Sequence, residues 1–532
     1  QARVKAGGAA ACARLASGDL ACWGVGWGAQ LGVDNSVSRA TLVPLPSGSV
    51  LQADITNDHM CAVLQDHSLR CWGSNVYGQM GNGTSMFSPT PVDVLDIAPA
   101  QWTYMLYLAG DNDLSSFMKN ISRALEKLPA STALNIVIFF DGQGADDNYI
   151  WSTRDGGLGQ YRLDEAESTT GSPGTLAGFI TWARANFPAQ HYYLSIADHG
   201  RATSGIAWDT GNGSANDQPD GLDPVELQQA LSQATRQGAW KLDVIHFDAC
   251  LMGLFEMAYQ VKDYAHFMIA SQNLTAAFYP YDEYSRVVLN NPTIAPLDLA
   301  KQIAGTYFNH DYLRLNQQPR TISVLNLDKI GPISNAFNTL AAEGRQGMDG
   351  IKQAVVTSRD DVQVFDSSPD FKSSPPAYYT LTKEDEYVDL RDLARLMHDR
   401  SPVPAVANAA GALFDALAKG DGNFVVDTLS ESGTDKLVSG NSWEFHDANG
   451  ISIFFPLAPG VWNYDRYVGN QLFKFTQDTQ WDEFLQQYYA AIAAEPVQPR
   501  DPGIPPVLRP TIPITTHCEE AGQCLWGIIR MD

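Results

Sequence analysis

The chain is poor in positive charge, and this deficit argues against one class of partner. Its 532 residues include 35 Lys and Arg against 60 Asp and Glu, which gives a net charge of −25 at pH 7. A surface of this sign repels phosphate backbones and anionic membranes. We therefore expect no nucleic-acid partner, and only a weak preference for cationic substrates.

Long apolar runs and metal-binding spacings are also missing. No stretch of 18 or more apolar residues occurs, so no membrane span is expected. The cysteines and histidines do not show the spacing of a zinc site. Acidic loops occur at 141–148 and 209–223 without EF-hand spacing, so calcium is left open as their ligand. The chain starts at Gln1 with no signal peptide, which suggests a processed form or a fragment.

Cysteine is scarce, and six of the seven residues fall into close pairs. The predicted disulfides are Cys12–Cys22, Cys61–Cys71 and Cys518–Cys524. Disulfides persist in oxidising compartments, so we expect a secreted or cell-surface, extracytoplasmic protein. Cys250 is left without a partner, which makes it a candidate reactive thiol. The alternative is an inert, buried thiol.

The first 97 residues contain an internal repeat. The segment from Cys12 to Gly24 returns, shifted by 49 residues, as the segment from Cys61 to Gly73. A period of this length predicts stacked repeats or a propeller. Each cysteine pair flanks a turn, which predicts a β-hairpin with a cross-strand disulfide.

This pattern resembles the regulator-of-chromosome-condensation repeat, whose blades form a seven-bladed propeller. The resemblance is strongest over residues 61–84. Two repeats cannot close a ring, so we expect residues 1–97 to form two repeats of an incomplete propeller. The resemblance implies a scaffold or binding role, with an unknown partner.

Strand and helix patterns alternate between residues 102 and 270. One helix is expected from Asp113 to Leu128, with Asp111 or Asp113 as its N-cap. The alternation predicts an α/β fold with a mainly parallel sheet flanked by helices, and places binding sites at the carboxyl ends of its strands. The expected divisions are a catalytic core over 102–290, a C-terminal part of the same region over 291–493, and a Pro-rich linker with a Cys-containing tail over 494–532.

Two of the predicted strands end on residues suited to thiol chemistry. His199 follows the apolar run 192–197, and Cys250 follows the run 242–247, 51 residues later. A thiol nucleophile with a histidine general acid and base hydrolyses acyl bonds without a cofactor. The amides of Gly200 and Cys250 are the candidate oxyanion hole. A helical pattern after Cys250 predicts a thiol at a helix N-terminus, with a lowered pKa.

The chain resembles the clostripain family of caspase-like cysteine peptidases over about 102–490. The matching motifs are Tyr104–Leu114, Asp198–Gly200, Asp248–Gly253 and Gly450–Pro456. The resemblance implies a cysteine endopeptidase, a hydrolase of protein or peptide substrates, with His199 and Cys250 as catalytic dyad. It also implies that Asp248 lies at the base of the specificity pocket and selects Arg or Lys; the alternative is a carboxylate that caps the helix after Cys250.

One segment departs from the family pattern. The family carries Ser-Glu after the next strand and glycines beyond it, where this chain has Ser271 and Gln272 and no glycine up to Tyr281. Because the segment lines the substrate cleft in the family, Ser271 is expected to bind substrate, and the loss of an acid leaves a non-basic specificity open. A catalytically dead surface protein that binds through its repeats is a further alternative, which the intact His199 and Cys250 disfavour.

Overall fold

The computed structural model forms two compact units, residues 1–98 and 99–532. The described residues are 3–25, 29–32, 37–46, 49–65, 68–82, 86–94, 100–142, 148–153, 158–162, 169–209, 220–276, 278–366, 381, 385–434, 442–459, 467 and 473–494. The predicted Cys518–Cys524 pair lies outside them.

The first unit consists of two four-stranded antiparallel sheets in simple strand order. The strands are β1 Arg3–Gly7, β2 Ala10–Arg14, β3 Leu20–Gly24, β4 Val37–Leu42, β5 Val50–Ile55, β6 His59–Leu64, β7 Leu69–Gly73 and β8 Ser88–Asp93. Cys12 lies opposite Cys22, and Cys61 lies opposite Cys71, so each pair joins the middle strands of one sheet. Both disulfides are formed. The two sheets match the two repeats that the sequence predicts.

The second unit is built on a nine-stranded sheet with the order β12-β11-β10-β9-β13-β16-β17-β18-β21 among the described residues. Its strands are β9 Ala100–Gly110, β10 Leu134–Gly142, β11 Tyr149–Ser152, β12 Gly159–Arg162, β13 Ala189–Ala197, β16 Leu242–Asp248, β17 Ala265–Ala270, β18 Arg320–Asn326 and β21 Val425–Glu431. The five central strands, from β10 to β17, pair in parallel. The outer pairings are antiparallel, which the predicted alternation did not indicate.

Helices cover both faces of this sheet. They are α1 Ser115–Leu125, α2 Pro173–Asn186, α3 Pro224–Ala234, α4 Phe255–Val261, α5 Tyr281–Asn290, α6 Pro296–Asn309, α7 Asp311–Leu315, α8 Ile330–Gln346, α9 Met348–Asp361, α10 Leu390–Arg400, α11 Pro404–Ala416, α12 Lys474–Asp478 and α13 Trp481–Ala493. Met105 and Tyr107 of β9 pack into one core, and Tyr104 and Leu106 pack into the other. A strand segment buried on both faces favours apolar residues at successive positions, which explains the unbroken apolar run of β9 from Tyr104 to Ala109.

Short strands complete the second unit. They are β14 Ile206–Asp209, β15 Asp220–Leu222, β19 Val364–Phe365, β20 Tyr387–Asp389, β22 Gly433–Thr434, β23 Ser442–Trp443 and β24 Ser452–Phe454. Strand β24 belongs to a small sheet with β19 and β20, and Ser452 also bridges to Leu254. The Gly450–Pro456 motif is thereby placed beside the segment that follows Cys250.

Among the described residues, no helix combines the length and the apolar character needed to cross a bilayer.

Candidate active site

Two neighbouring parallel strands bring the candidate histidine and cysteine together. Ala197, the last residue of β13, lies opposite Asp248, the last residue of β16. His199 and Cys250 each follow two residues beyond their strand, so both lie at the same carboxyl edge of the sheet. This is the edge at which open α/β sheets bind ligands.

Gly200 fixes how closely the two loops approach. A Cβ atom at this position would lie 2.1 Å from the carbonyl oxygen of Cys250 and 3.0 Å from the Ala249 and Met252 side chains. Only a residue without a side chain fits here without moving the Cys250 segment. Close backbone contact therefore joins the His199 loop to the Cys250 loop.

The Cys250 loop is a strained turn. Leu251 has a φ of 60°, a left-handed conformation that is costly for a branched side chain. The N–H groups of Leu251 and Gly253 donate to the carbonyl groups of Asn273, at 3.2 Å, and Ser271, at 2.6 Å. The Gly253 carbonyl accepts from the Ser452 N–H and hydroxyl, both at 2.9 Å. The end of β17 and strand β24 thus hold the turn from two sides.

The prediction that Cys250 stands at a helix N-terminus is wrong. Helix α4 begins at Phe255, and residues 249–254 form the turn instead. Burial raises the pKa of the Cys250 thiol, and the charges of Asp366 and Asp198 raise it further. The Thr275 N–H, which donates to the Cys250 Sγ at 3.3 Å, opposes this shift. Burial, the largest of these influences, favours the neutral thiol over the thiolate.

His199 makes its side-chain contact with Asp113. The His199 Nε2 lies 2.7 Å from the Asp113 Oδ1, and the imidazole is only 7% exposed. The prediction that Asp111 or Asp113 caps helix α1 is wrong, because the N-cap position before Ser115 is Leu114, which makes no side-chain cap. The carboxylate contacts the histidine because β9 lies next to β13 in the sheet.

Asp198, beside the histidine, has a structural role. Its oxygens accept hydrogen bonds from the Asn112 side chain, at 2.8 Å, and from the Trp208 N–H. Burial raises the pKa of Asp198 to about 7, while the His199 charge and these hydrogen bonds oppose the shift. Asp198 joins the loop after β9 to the start of the β14 hairpin.

Asp248 is a buried carboxyl group with one unpaired oxygen. It is 3% exposed, and its Oδ2 has no hydrogen-bond partner in the described part of the chain. Burial raises the pKa of Asp248 to about 7, and a hydrogen bond from Tyr281 opposes that shift. Since α4 begins only at Phe255, Asp248 does not cap a helix, and the alternative structural role is excluded.

Tyrosine rings surround this carboxyl group. Burial is the largest cause that raises the pKa of five tyrosines, and the Asp248 charge raises each of them further: Tyr193, Tyr279, Tyr281, Tyr284 and Tyr307. The Cys250 charge contributes at Tyr279 and Tyr307 as well. The pKa values of these two tyrosines are thus raised by both the Asp248 carboxyl group and the Cys250 thiol.

Ser271 and Gln272 lie behind the Cys250 turn and not in an open cleft. Both are fully buried. The Ser271 hydroxyl donates to the Asn273 carbonyl at 2.9 Å and pairs with the Thr321 hydroxyl at 2.8 Å. In this structure the Ser271 hydroxyl bonds within the protein, and its expected contact with substrate stays a prediction.

The Gln272 side chain joins two distant segments. Its Nε2 donates to the Asp389 Oδ2 at 3.0 Å, and its Oε1 accepts from the Gly450 N–H at 2.8 Å. A carboxylate could not donate the first of these bonds. The amide at this position is therefore explained by its two partners.

The two acidic loops are the segments for which calcium was left open. Within the described residues, no group of three or more His, Cys, Asp or Glu could hold a metal ion. Residues 143–147 and 210–219, the interiors of these loops, lie outside the described ranges.

Comparison with known proteins gives two family matches. The clostripain family model matches residues 106–488, and a regulator of chromosome condensation repeat model matches residues 52–79. Clostripain from Hathewaya histolytica is 27% identical over 192 residues, which is 30% of this chain. The alignment spans 36% of that protein's own length.

Solved structures show the same fold at low identity. A secreted C11 cysteine protease from Bacteroides thetaiotaomicron, in complex with an irreversible peptide inhibitor, has a TM-score of 0.51 and 19% identity, with 72% of this chain and 100% of that chain covered. An inactive zymogen C11 protease from Parabacteroides distasonis has a TM-score of 0.50 and 18% identity, with 73% and 99% covered.

The close approach at Gly200 is testable by adding one methyl group. We expect Gly200→Ala to lower the free energy of unfolding by about 1–3 kcal/mol, because the new Cβ overlaps the Cys250 carbonyl. Gly178→Ala is the control: this exposed glycine of α2 has open space around it, so the change stabilises by up to about 1 kcal/mol. Urea unfolding measures both. Equal stability of the two variants would contradict the contact.

The role of Gln272 is testable by restoring the acid. We expect Gln272→Glu to destabilise the protein by about 2–4 kcal/mol, because it buries a second carboxylate beside Asp389. The new carboxyl group is buried, so its ionisation costs free energy in the folded protein but not in the unfolded chain, just as burial raises the pKa of its partner Asp389 to about 6. The loss should therefore be larger at pH 8 than at pH 5. Gln229→Glu, an exposed site on α3, controls for the charge; a similar small effect at both sites would refute the assignment.

Proposed function

The chain belongs to the clostripain family of cysteine peptidases, and from that premise we propose that it hydrolyses internal peptide bonds with a His199–Cys250 dyad, after Arg or Lys. The observation that carries the proposal is the meeting of the two loops beyond β13 and β16, with Gly200 against the Cys250 carbonyl. The family match covers the region that contains both loops.

The proposed reaction restores the Cys250 thiol and the neutral His199 at the end of each cycle, because a proton from water replaces the thiol proton that leaves with the amine. His199 takes the proton of the Cys250 thiol, and the thiolate attacks the peptide carbonyl carbon. The Gly200 and Cys250 N–H groups stabilise the oxyanion, and His199 then gives its proton to the leaving amine. Water attacks the resulting thioester, with His199 as base, which releases the carboxylic acid and restores the thiol. Because burial raises the pKa of the thiol, the histidine is needed to generate the nucleophile.

Asp248 is the proposed determinant of basic specificity. Its buried Oδ2 lacks a partner in the described residues, and an arginine or lysine side chain would supply the missing counter-charge. The pKa values of Tyr279 and Tyr307 are raised by both Asp248 and Cys250. We propose that these two rings pack against the aliphatic stem or the cation of the bound Arg or Lys side chain. Gln272 does not weaken this assignment, because its side chain is tied to Asp389 and Gly450.

One observation favours a second specificity. Burial raises the pKa of Asp248 to about 7, so near neutral pH part of the population carries a neutral carboxyl group. A protonated carboxyl group can donate to an uncharged polar side chain. A peptidase with a non-basic preference is therefore the second candidate, and it requires the same dyad.

We further propose an extracytoplasmic location and a binding role for the repeats. Two disulfides in the first unit fit an oxidising compartment. The Bacteroides thetaiotaomicron relative is described as secreted. The repeats would bind an unidentified partner, and calcium dependence is left to measurement.

The dyad is tested by turnover of fluorogenic peptides ending in Arg, Lys, Asn, Asp or Ala. We expect the Arg or Lys peptides to be cleaved, and Cys250→Ala and His199→Ala each to lower kcat by more than about 10³-fold. His266→Ala is the matched control, because this half-exposed histidine also contacts an aspartate but lies at the opposite, amino-terminal end of the sheet region, on β17. Adding calcium or a chelator to each assay tests metal dependence.

Two other outcomes of this peptide assay would lead to different conclusions. Cleavage of only the neutral peptides would retain the dyad and overturn the basic pocket. An absence of turnover under every condition would overturn the peptidase assignment for this chain and favour a protein that binds through its repeats.

The pocket acid is tested by Asp248→Asn. We expect kcat/KM for Arg peptides to fall about 10²-fold or more, while the variant becomes more stable at pH 8. The sign follows from linkage: the folded-state pKa of about 7 lies above the unfolded value near 4, so the ionised group destabilises the fold as pH rises through this range. In the unaltered protein, KM for Arg peptides should rise as pH falls through 7.

Asp243→Asn is the matched control for this change. Asp243 lies at the other end of the same strand, β16, and contacts His191 at 2.9 Å. It should leave the peptide preference unchanged. If Asp248→Asn retains full activity on Arg peptides, the basic pocket is assigned to the wrong residue.

A further inference from the structure

We propose that Asp113 is a positioning residue for His199: it holds the Nε2–H group and so turns Nδ1 toward the Cys250 thiol. The inference rests on the proposed function, and extends the dyad by one residue. The contact that carries it is the 2.7 Å distance between the His199 Nε2 and the Asp113 Oδ1.

The sheet topology brings this carboxylate to the histidine. Strand β9 pairs with β13, and Ala197 lies opposite Leu108. Asp113 comes five residues after Leu108 and His199 two residues after Ala197, so both lie at the carboxyl edge of adjacent strands. Cys250 comes from β16, on the other side of β13. The histidine strand is therefore flanked by the strand that leads to the acid and the strand that leads to the thiol.

The neighbouring Asn112 fixes the turn that carries Asp113. Its Nδ2 donates to the Asp198 Oδ1 at 2.8 Å and to the Trp208 carbonyl at 3.0 Å, and its Oδ1 accepts from the Leu114 N–H at 2.9 Å. These bonds constrain the backbone on both sides of Asp113. A carboxylate that is 46% exposed can then hold one orientation at a small entropic cost.

Asp198 is the other acid near the histidine, but it is not the partner of the ring. Its two oxygens accept from Asn112 and from the Trp208 N–H. Its influence on His199 is a through-space charge effect and a backbone hydrogen bond. Asp113 therefore supplies the side-chain acceptor for the imidazole.

The contact selects one tautomer of the imidazole. A carboxylate that contacts Nε2 can only accept a hydrogen bond, so Nε2 carries the proton. In the neutral ring the lone pair then lies on Nδ1. When the thiol proton moves to Nδ1, the imidazolium keeps its Nε2–H bond to Asp113, and the carboxylate stabilises the positive charge. The Nδ1 proton then passes to the leaving amine. No proton is transferred to Asp113 in these steps.

Exposure sets the expected size of the effect. Solvent screens a half-exposed carboxylate, so it contributes less than a buried triad acid. We expect Asp113→Asn to lower kcat by about 10- to 100-fold and to change KM by less than about twofold, since an asparagine can present its amide and favour the wrong tautomer. Asp113→Ala should behave similarly, and Asp113→Glu should recover part of the loss.

Asp328→Asn is the matched control in the same full-length chain. The Asp328 carboxylate lies 2.7 Å from the His266 Nδ1 and is 44% exposed, which closely reproduces the contact and exposure of Asp113. It should leave kcat unchanged. Thermal unfolding of every variant checks that a lowered rate does not reflect a lost fold.

Two readouts distinguish positioning from a general structural role. In a His199→Ala background, adding Asp113→Asn should cause no further loss, because the residue acts only through the ring. The His199 ring signals in a nitrogen NMR spectrum are assigned by their absence in His199→Ala. In the Cys250→Ala protein these signals should show the Nε2–H tautomer. Adding Asp113→Asn should shift the ring toward Nδ1–H.

The proposal is overturned if Asp113→Asn stays within twofold of the original kcat, if its loss persists in the His199→Ala background, or if the tautomer does not change. The NMR measurement needs no turnover. A chain without Cys250-dependent cleavage would therefore refute the proposed function, while the tautomer would still decide the role of Asp113.

Discussion

The site depends on one constraint, the parallel pairing of β13 with β16. This pairing sets Ala197 against Asp248, and every candidate group follows from it: His199 and Cys250 two residues beyond the strands, and Gly200 in contact with the Cys250 carbonyl. Neither loop could hold this geometry alone. Two parallel neighbouring strands require a crossover connection, which here includes α3. This crossover brings His199 and Cys250, 51 residues apart, to one edge of the sheet.

Burial then decides the charge state of the groups at that edge. It raises the pKa of the Cys250 thiol and raises the pKa of Asp198 and Asp248 to about 7. Asp198 is compensated by Asn112 and Trp208, whereas Asp248 retains an oxygen without a partner in the described residues. Two carboxyl groups with similar burial thus differ in how far the described part of the fold satisfies their hydrogen-bonding capacity.

The sequence predicts the parts of this structure that local pattern encodes. Apolar runs locate the central strands, the repeated cysteine spacing predicts the two hairpins of the first unit, and the strand ends identify His199 and Cys250. The family matches confirm both resemblances. The antiparallel strands β18 and β21 were missed because pairing between distant segments leaves no local period. The helix after Cys250 starts late for a similar reason: Ser271 and Ser452, distant in sequence, hold its first residues in a turn.

Long-range partners also explain why two residues were misassigned. Asp113 has the residue type and position of a helix cap, and only the pairing of β9 with β13 reveals that its carboxylate reaches His199. Gln272 looked like an acid lost from a specificity pocket. Its partner Asp389 caps helix α10 and accepts from Asn449, so it must remain an acceptor, and a second carboxylate at position 272 would face it without a shared donor. The amide at position 272 therefore supplies the donor that Asp389 accepts. The basic specificity proposed above therefore relies on Asp248 and the tyrosines around it, with no second acid from this position.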